Sequence, residues 1–554
     1  MADPTAAAYA RINSGTSRSH TPYTILAPGL NDIVPNPSYS QRFDAWATLR
    51  DCYDGEKVIK EAGEQYLPKL SAHSPDEYKT YKHRAYFYNA VRRTHRGLHG
   101  SLFRKPVEFS TPAGMGAKLN ICNITQDGQS FQAFMRILGH ELLLTGRFGI
   151  LADFKADQAN SPYLAGYLAE NIYAWRLKTF EDREIVDRVV LLESEVVPTE
   201  YGATTQLLIR VLRLDPSSNG SGKMVYSQTI IRPNPTDPKS TPTRQNIAVN
   251  IRGRTLDYIP FVFFNAMDLR AECGPPPLED IASINVSHFQ STAHLEHGRF
   301  YAGMPTYVTA GSGANKLPGL PEGLTNTNPL TVGPSFVWEL EENAKAWLLE
   351  FTGHGLTFLE NAVDSKQLQM QSLGGRLISS TRRAAAMSDE AWQLLETGDE
   401  ATLMDVAQVC DEGVTKALAY LGDILGEIPA DSVHVPSKHK ILVEFNKEFV
   451  RSELTARELR ALQALAERGH IPQDVMYYAL REVGVIPIEY SLDDFTALLK
   501  KDEQKWKPPP LPGTPGGPEL PPTTNPPSGT TGNPGPGVRP QTAPRPVLSV
   551  PPKE

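Results

Sequence analysis

Cysteine is scarce in this sequence. Its four copies, Cys52, Cys122, Cys273 and Cys410, stand far apart and form no CxxC pair. That spacing predicts neither a disulfide framework nor a zinc ribbon, and points to isolated thiols in a reducing compartment. Long apolar runs are missing too: none approaches the roughly 18 residues of a membrane span, so no membrane partner is expected. The first ten residues show no basic region followed by an apolar one, which predicts no signal peptide. The glycosylation-like triplets at Asn123 and Asn285 are then chance matches. Positive charge is not in excess: 55 Lys and Arg face 63 Asp and Glu, for a net charge of −8. A conventional DNA-coating protein with a basic surface is thereby excluded. The sequence has no internal repeat.

What is present is enough chain for about three or four domains at roughly 100–200 residues each. With 40% hydrophobic residues, most of it can fold. The exception is 507–554, which carries seventeen of the 46 prolines together with Gly and Thr. Such a segment cannot build a core and reads as a disordered Pro-rich C-terminal tail. Residues 1–40, broken by Pro28, Gly29, Pro35 and Pro37, read as an arm.

A helix is predicted from near Phe43 past Trp46 and Tyr53. Ser74, Pro75 and Glu77 form a capping box opening a second helix. Tyr78, Tyr81, Tyr88 and Val91 fall near one face of it, and it is expected to run to Gly97. Phe131, Phe134, Leu138 and Leu142 form another helical stripe closed by Gly146. A strand follows over 148–154. Further strands are predicted at 189–193, 206–212, 224–231 and 259–264, in a mostly antiparallel sheet, which makes the fold class α+β. After three prolines at 275–277, a helix spans 278–302, roughly 36 Å long at about 1.5 Å per residue. Short strands at 306–310 and 335–340 flank a Gly/Pro/Asn-rich loop. Helices then cover 356–372 and about 382–425, with Gly374 and Gly375 between them and a possible break at Gly398. A strand at 440–445 precedes a small helical module, with a capping box at Thr455 and Glu458 and a last helix from Pro472 to Val483.

The catalytic motifs are incomplete. His140 and Glu141 begin like HExxH, but Leu144 stands where the second metal ligand belongs. The ordinary reading is a polar edge on an amphipathic helix. The stretch from Gly311 to Lys316 lacks phosphate-loop spacing, and Leu317 replaces the magnesium-binding hydroxyl. His288, His294 and His297 share one helix without converging carboxylates, and read as a solvent- or interface-facing cluster. No nucleophile elbow and no Cys–His signature occur. No catalytic residue, cofactor site or metal site is assigned, and the chain is not expected to be an enzyme. A soluble hydrolase built on His140 or on the three helical histidines is the competing enzyme reading.

The order of elements, and a set of local matches, are more informative. The matches comprise Trp46 with Asp51 to Gly55, Tyr66-Leu67-Pro68-Lys69, Arg84 to Asn89 and Phe103-Arg104-Lys105-Pro106. They continue through Thr145-Gly146-Arg147, Tyr173-Ala174-Trp175-Arg176, Ile259-Pro260-Phe261, Pro277-Leu278 with Asn285, and Leu373-Gly374-Gly375-Arg376. Over about residues 40–500 the chain resembles the portal proteins, or head-to-tail connectors, of tailed double-stranded DNA bacteriophages.

The resemblance implies a portal-type multidomain subunit with wing, helical stem, clip and helical crown. By position, 1–40 is the arm, 41–277 the wing, 278–302 the first stem helix and 303–354 the clip. Residues 355–373 are the second stem helix, 374–383 the tunnel loop, 384–440 the return helix to the wing and 441–506 the crown. It also implies a homo-oligomer, a dodecameric ring at a unique capsid vertex of the virion, assembled in the host cytoplasm. Double-stranded DNA passes through the ring, whose partners are the major capsid protein, the terminase large subunit and the tail adaptor protein. No cofactor is implied. A different virion connector, or a tail or baseplate scaffold, is the alternative.

A conduit must let DNA slide, and each neutralised phosphate adds affinity. A net-negative subunit repeated around a ring suits weak contact. Glu360, Asp364 and Lys366 are the candidate channel-facing residues of the second stem helix, against an ordinary solvated face. Gly374, Gly375, Arg376, Arg382 and Arg383 are the candidate tunnel loop, whose arginines either touch phosphates or bridge subunits. Phe289, Phe300, Leu356, Phe358 and Leu359 are the candidates for the subunit interface, against packing within one chain.

Overall fold

The computed structural model describes residues 33–303, 306–310, 345–349, 354–373 and 389–449, except 72, 156–157, 181–182, 218–222, 233–241, 252 and 448, together with 477–478, 492 and 496–497. The chain divides into two compact units, 1–450 and 451–554. The architecture below is that of the first. The sequence-predicted strand at 335–340, the tunnel loop at 374–383, the helix expected from Thr455 to Gly469, the helix expected at 472–483 apart from 477–478, and the Pro-rich tail lie outside the described residues.

A helical layer comes first. Helix α1 (Pro37–Asp54) opens several residues before Phe43, because Asn36 caps it: Asn36 Oδ1 accepts the Ser38 N–H at 2.9 Å and proline takes the first turn. Gly55, at φ 94°, ends α1 and starts α2 (Glu56–Ala62). Helix α3 (Pro75–Arg84) has the predicted capping box, with Ser74 Oγ accepting from Glu77 N and Glu77 Oε2 accepting from Ser74 N at 2.7 Å. It does not continue to Gly97. Residues 85–89 are not helical, and a separate helix α4 (Ala90–Leu102) begins at the cap Asn89. The reason is tertiary: the Asn285 side chain donates to Tyr88 O at 2.7 Å and accepts from Ala90 N at 3.2 Å. Backbone groups that a continuous helix would satisfy internally are satisfied across the fold. After β1 (Glu108–Ser110) and α5 (Ala113–Lys118), α6 (Phe131–Thr145) carries the predicted apolar stripe. Ser130 caps its start, and Gly146, left-handed at φ 67°, ends it.

Strands follow as predicted, with more of them. They are β2 (Arg147–Lys155), β3 (Gln158–Leu168), β4 (Ile172–Phe180), β5 (Arg183–Thr199), β6 (Gly202–Pro216), β7 (Met224–Arg232), β8 (Thr243–Ala248) and β9 (Phe261–Asn265). Two antiparallel sheets result, one in the order β3-β2-β9 and the other β4-β5-β6-β7-β8. A buried polar network joins them. Arg210 on β6 donates from Nη1 to Asp153 on β2 at 2.8 Å and from Nε to Glu193 on β5 at 2.7 Å. The Tyr167 hydroxyl on β3 donates to Glu193 at 2.6 Å.

The remaining elements are α7 (Glu279–Ala302), β10 (Thr306–Ala310), β11 (Lys345–Leu349), α8 (His354–Leu373), α9 (Asp389–Leu425), α10 (Pro436–His439) and β12 (Leu442–Glu444). The partner of β10 is β11. Helix α9 runs unbroken through Gly398, contrary to the expected break, so the helix absorbs the roughly 1 kcal/mol that a glycine costs. It covers the β3-β2-β9 sheet closely, because Gly413 faces the buried Phe264 ring and Leu269. Strand β12 pairs antiparallel with β1, Phe109 opposite Val443. The fold is α+β, and its apolar core is continuous from Trp46 on α1 through Phe148 and Phe264 to Leu418 on α9.

Candidate functional site

Helices α7 and α8 form an antiparallel pair whose distal end carries the β10–β11 ladder. Their contacts run in opposite order along the two helices. Arg299 pairs with Glu360 at 2.8 Å, and Lys366 Nζ donates to Ser287 O at 3.1 Å and Ser291 Oγ at 2.6 Å. Gln367 Nε2 lies 3.2 Å from His288 Nε2. Close approach is possible because residue 298 is glycine: a Cβ there would sit 2.6 Å from Leu356 Cδ2. Burial pulls the Lys366 ammonium below its usual range, and burial followed by Lys366 does the same to His288.

Helix α7 is held on its other side by the helical layer. Phe289 is fully buried, edge-on to Phe87, and the Arg84 guanidinium lies 3.3 Å over the Phe300 ring. Tyr81 OH meets His294 Nδ1 at 3.2 Å. Helix α8 turns Val363 and Met370 inward, with Leu356 and Leu359 half-buried on the same side. Phe358 and Leu368 fall on the opposite face, 79% and 61% exposed. At 100° per residue both lie within about 50° of the direction opposite the packed stripe.

The sequence-predicted residues therefore separate. Glu360 and Lys366 are engaged with α7, and Asp364 is exposed. Phe289 has no surface left for another subunit, because it fills the seam between α7 and Phe87; this corrects its expected place at a subunit contact. Phe300 and Leu356 face elements of their own chain, Leu359 is half-buried, and Phe358 is free on the surface. Gly374, Gly375, Arg376, Arg382 and Arg383 lie outside the described residues. Exposed Leu368 was missed, because one leucine ten residues after Phe358 leaves no visible motif.

The histidine readings change as well. Glu141 is not a polar edge. It is buried, and it accepts from Arg50, Nη2 to Oε2 at 2.7 Å; Glu170 pairs with the same guanidinium, Nη2 to Oε2 at 2.8 Å. His140 packs 4.4 Å ring to ring from His95, whose Nε2 donates to His140 O at 2.9 Å. Burial, with like charge nearby, pushes both imidazoles down to about 3. His288 is buried rather than solvent-facing, whereas His294 is exposed. Among the described residues no group of three or more His, Cys, Asp or Glu could hold a metal ion. Among them also, no helix is long and apolar enough to cross a membrane.

Residues 277–423, just over a quarter of the chain, match a family described as a domain of unknown function, DUF4055. Comparison with curated proteins returns no match. The sequence is 12% identical to a chain of the "Neck of empty GTA particle computed with C6 symmetry", with a TM-score of 0.35, over 74% of this chain and 90% of that one. For the "Virion of native gene transfer agent (GTA) particle" the values are 12%, 0.35, 74% and 94%. For the "Neck of native GTA particle computed with C12 symmetry" they are 12%, 0.33, 69% and 86%. TM-scores this low do not establish a common fold. The family match begins at the third proline before α7 and ends inside α9, so it takes in the whole helix pair with its β10–β11 end.

Proposed function

We propose that this chain is a portal-type structural subunit, with α7 and α8 as the stem and the segment between them as the clip. One observation carries the reading. A two-helix stalk is anchored on one side in the α+β body, and its outer helix presents exposed Phe358 and Leu368 away from its partner. Apolar side chains on a second face of a helix suit head-to-tail contacts in a closed ring. The ring, of twelve copies, sits at one vertex of a capsid and takes the major capsid protein as its seat. Its central hole conducts double-stranded DNA, and its ends dock the terminase large subunit and a tail adaptor. The glycines 374 and 375 join the stem to α9 and serve as the tunnel loop with Arg376, Arg382 and Arg383.

Negative-stain electron microscopy and native mass spectrometry of the purified chain test the assembly. Closed rings with a central hole are expected. Only monomers and dimers across a range of protein and salt concentrations would refute it. In assembled particles, replacing Gly374 and Gly375 together with Ala is expected to leave rings intact and impair DNA packaging or retention. Full packaging and retention with both substitutions would reduce the pair to a plain helix joint.

A further inference from the structure

Three arginines stand abreast on the five-stranded sheet. The register places Arg176 on β4 opposite Arg188 on β5, and Arg188 opposite Arg213 on β6. Like charges directly opposite on adjacent strands repel, so this row is unfavourable unless something negative answers it. Arg210 on β6 and Gln228 on β7 belong to the buried network between the sheets. Because side chains alternate along a strand, Arg213 and Val211 point the other way. On that side lies a cleft of about 360 Å³, lined by the three arginines, Arg244 from β8, Val190 and Val211. Ile33 and Val34 form one wall. They are fixed there because Asn36 N donates to Tyr173 O at 3.1 Å and Asn36 Nδ2 to Trp175 O at 3.4 Å.

Two of the row are answered within the chain. Arg176 makes a bidentate pair with Asp187, Nε to Oδ1 at 2.8 Å and Nη2 to Oδ2, and Arg213 Nε lies 3.2 Å from Asp215 Oδ2. Arg188, the middle member, makes no ion pair or hydrogen bond among the described residues, and its Nε is buried without a partner. Burial, then Arg176 and Arg213, pull its guanidinium below the usual range, with Asp187 and Asp215 opposing. An unanswered guanidinium over an apolar floor, in a cleft of small-ligand size, is what a phosphate attached to an apolar or aromatic body would complete.

We propose that this cleft is a binding site for a small phosphorylated molecule, of the nucleoside monophosphate class, with Arg188 as its anion anchor. The site is separate from the α7–α8 pair and does not depend on the portal reading. The test is isothermal titration calorimetry on the full chain at fixed ionic strength, with AMP as probe and adenosine as control. AMP is expected to bind with a sub-millimolar Kd and adenosine at least tenfold more weakly. Arg188→Gln should lose at least tenfold in AMP affinity, with Arg188→Lys in between because it keeps the charge without the fork. Without ligand, Arg188→Gln should melt no lower than the parent, since it relieves the like-charge row. No AMP binding at millimolar concentration, or equal binding by the Arg188→Gln protein, would overturn the proposal. So would binding of a duplex oligonucleotide but not AMP.

Discussion

Replacing Arg50 with methionine should be among the most damaging single changes in the helical layer. The Arg50 side chain is 5% exposed and Glu141 1%, whereas Glu170 is 21% exposed. The guanidinium gives both Nη1 and Nη2 to Glu141, at 3.3 and 2.7 Å, and also binds Glu170. Methionine fills much of the same volume but removes every one of these donors. Glu170 can turn to water, but Glu141 is left as an uncompensated charge in the interior. Removing one partner of a buried pair costs about 3–5 kcal/mol. Removing both charges should cost far less, because a buried ion pair replaced by well-packed apolar groups is often near neutral. Arg50→Met with Glu141→Leu should therefore recover most of the loss. Urea unfolding followed by tryptophan fluorescence reads this directly, since fully buried Trp46 lies one turn before Arg50. A loss below about 1 kcal/mol for Arg50→Met, or a double variant as unstable as the sum of the single ones, would refute the argument.

His95 and His140, both pushed down to about 3, favour the folded state only while they stay neutral. Their contribution is complete above the ordinary value near 6.5 and is lost as pH falls from there toward 3. The slope is up to about 1.4 kcal/mol per pH unit for each group. Urea midpoints at pH 7.5 and 5.5 should show it, and His95→Gln should flatten the dependence. Gly413→Ala gains roughly 1 kcal/mol of helix propensity but forces a methyl to within 2.7 Å of Phe264 Cζ and 2.9 Å of Leu269 Cδ2. Overpacking of about 1–3 kcal/mol should win, so thermal melting is expected to show a net loss that Phe264→Leu partly relieves. Phe358→Asp combined with Leu368→Asp should leave the subunit folded, with the helical circular dichroism of the parent, since both side chains are exposed on the single chain. Native mass spectrometry should then find the ring lost; intact rings would remove this face from the contact.

Local signals carried well from sequence to structure. The capping box at Ser74, the stripe and terminal glycine of α6, and the two long helices flanking an insert all rest on contacts within a few residues. What stayed hidden depends on partners distant in sequence. The break after Arg84 is held by Asn285, 197 and 195 residues away from its partners Tyr88 and Ala90. Strands β3, β4 and β8 mix polar and apolar residues and declare themselves only through pairing. Glu141 looked like a surface acid because its partner Arg50 lies 91 residues before it, and Glu170, which shares that guanidinium, lies 29 after it. The arginine row was equally invisible: Arg176, Arg188 and Arg213 become neighbours only once the register of β4, β5 and β6 is fixed.

The pairing of β1 with β12 also bears on the order of events at the ribosome. Ser110 leaves the exit tunnel more than three hundred residues ahead of its partner Leu442. At roughly 5–20 residues per second, the nascent chain waits about 15–65 s for that strand. Helix α9, whose Gly413 faces Phe264 on β9, follows that residue by 149 positions, a wait of about 7–30 s at the same rate. Throughout the wait the growing chain displays an uncovered apolar sheet face to every neighbour on the polysome. A pause in translation within the α7–α8 region would lengthen that exposure, and early release there would yield a fragment prone to aggregate.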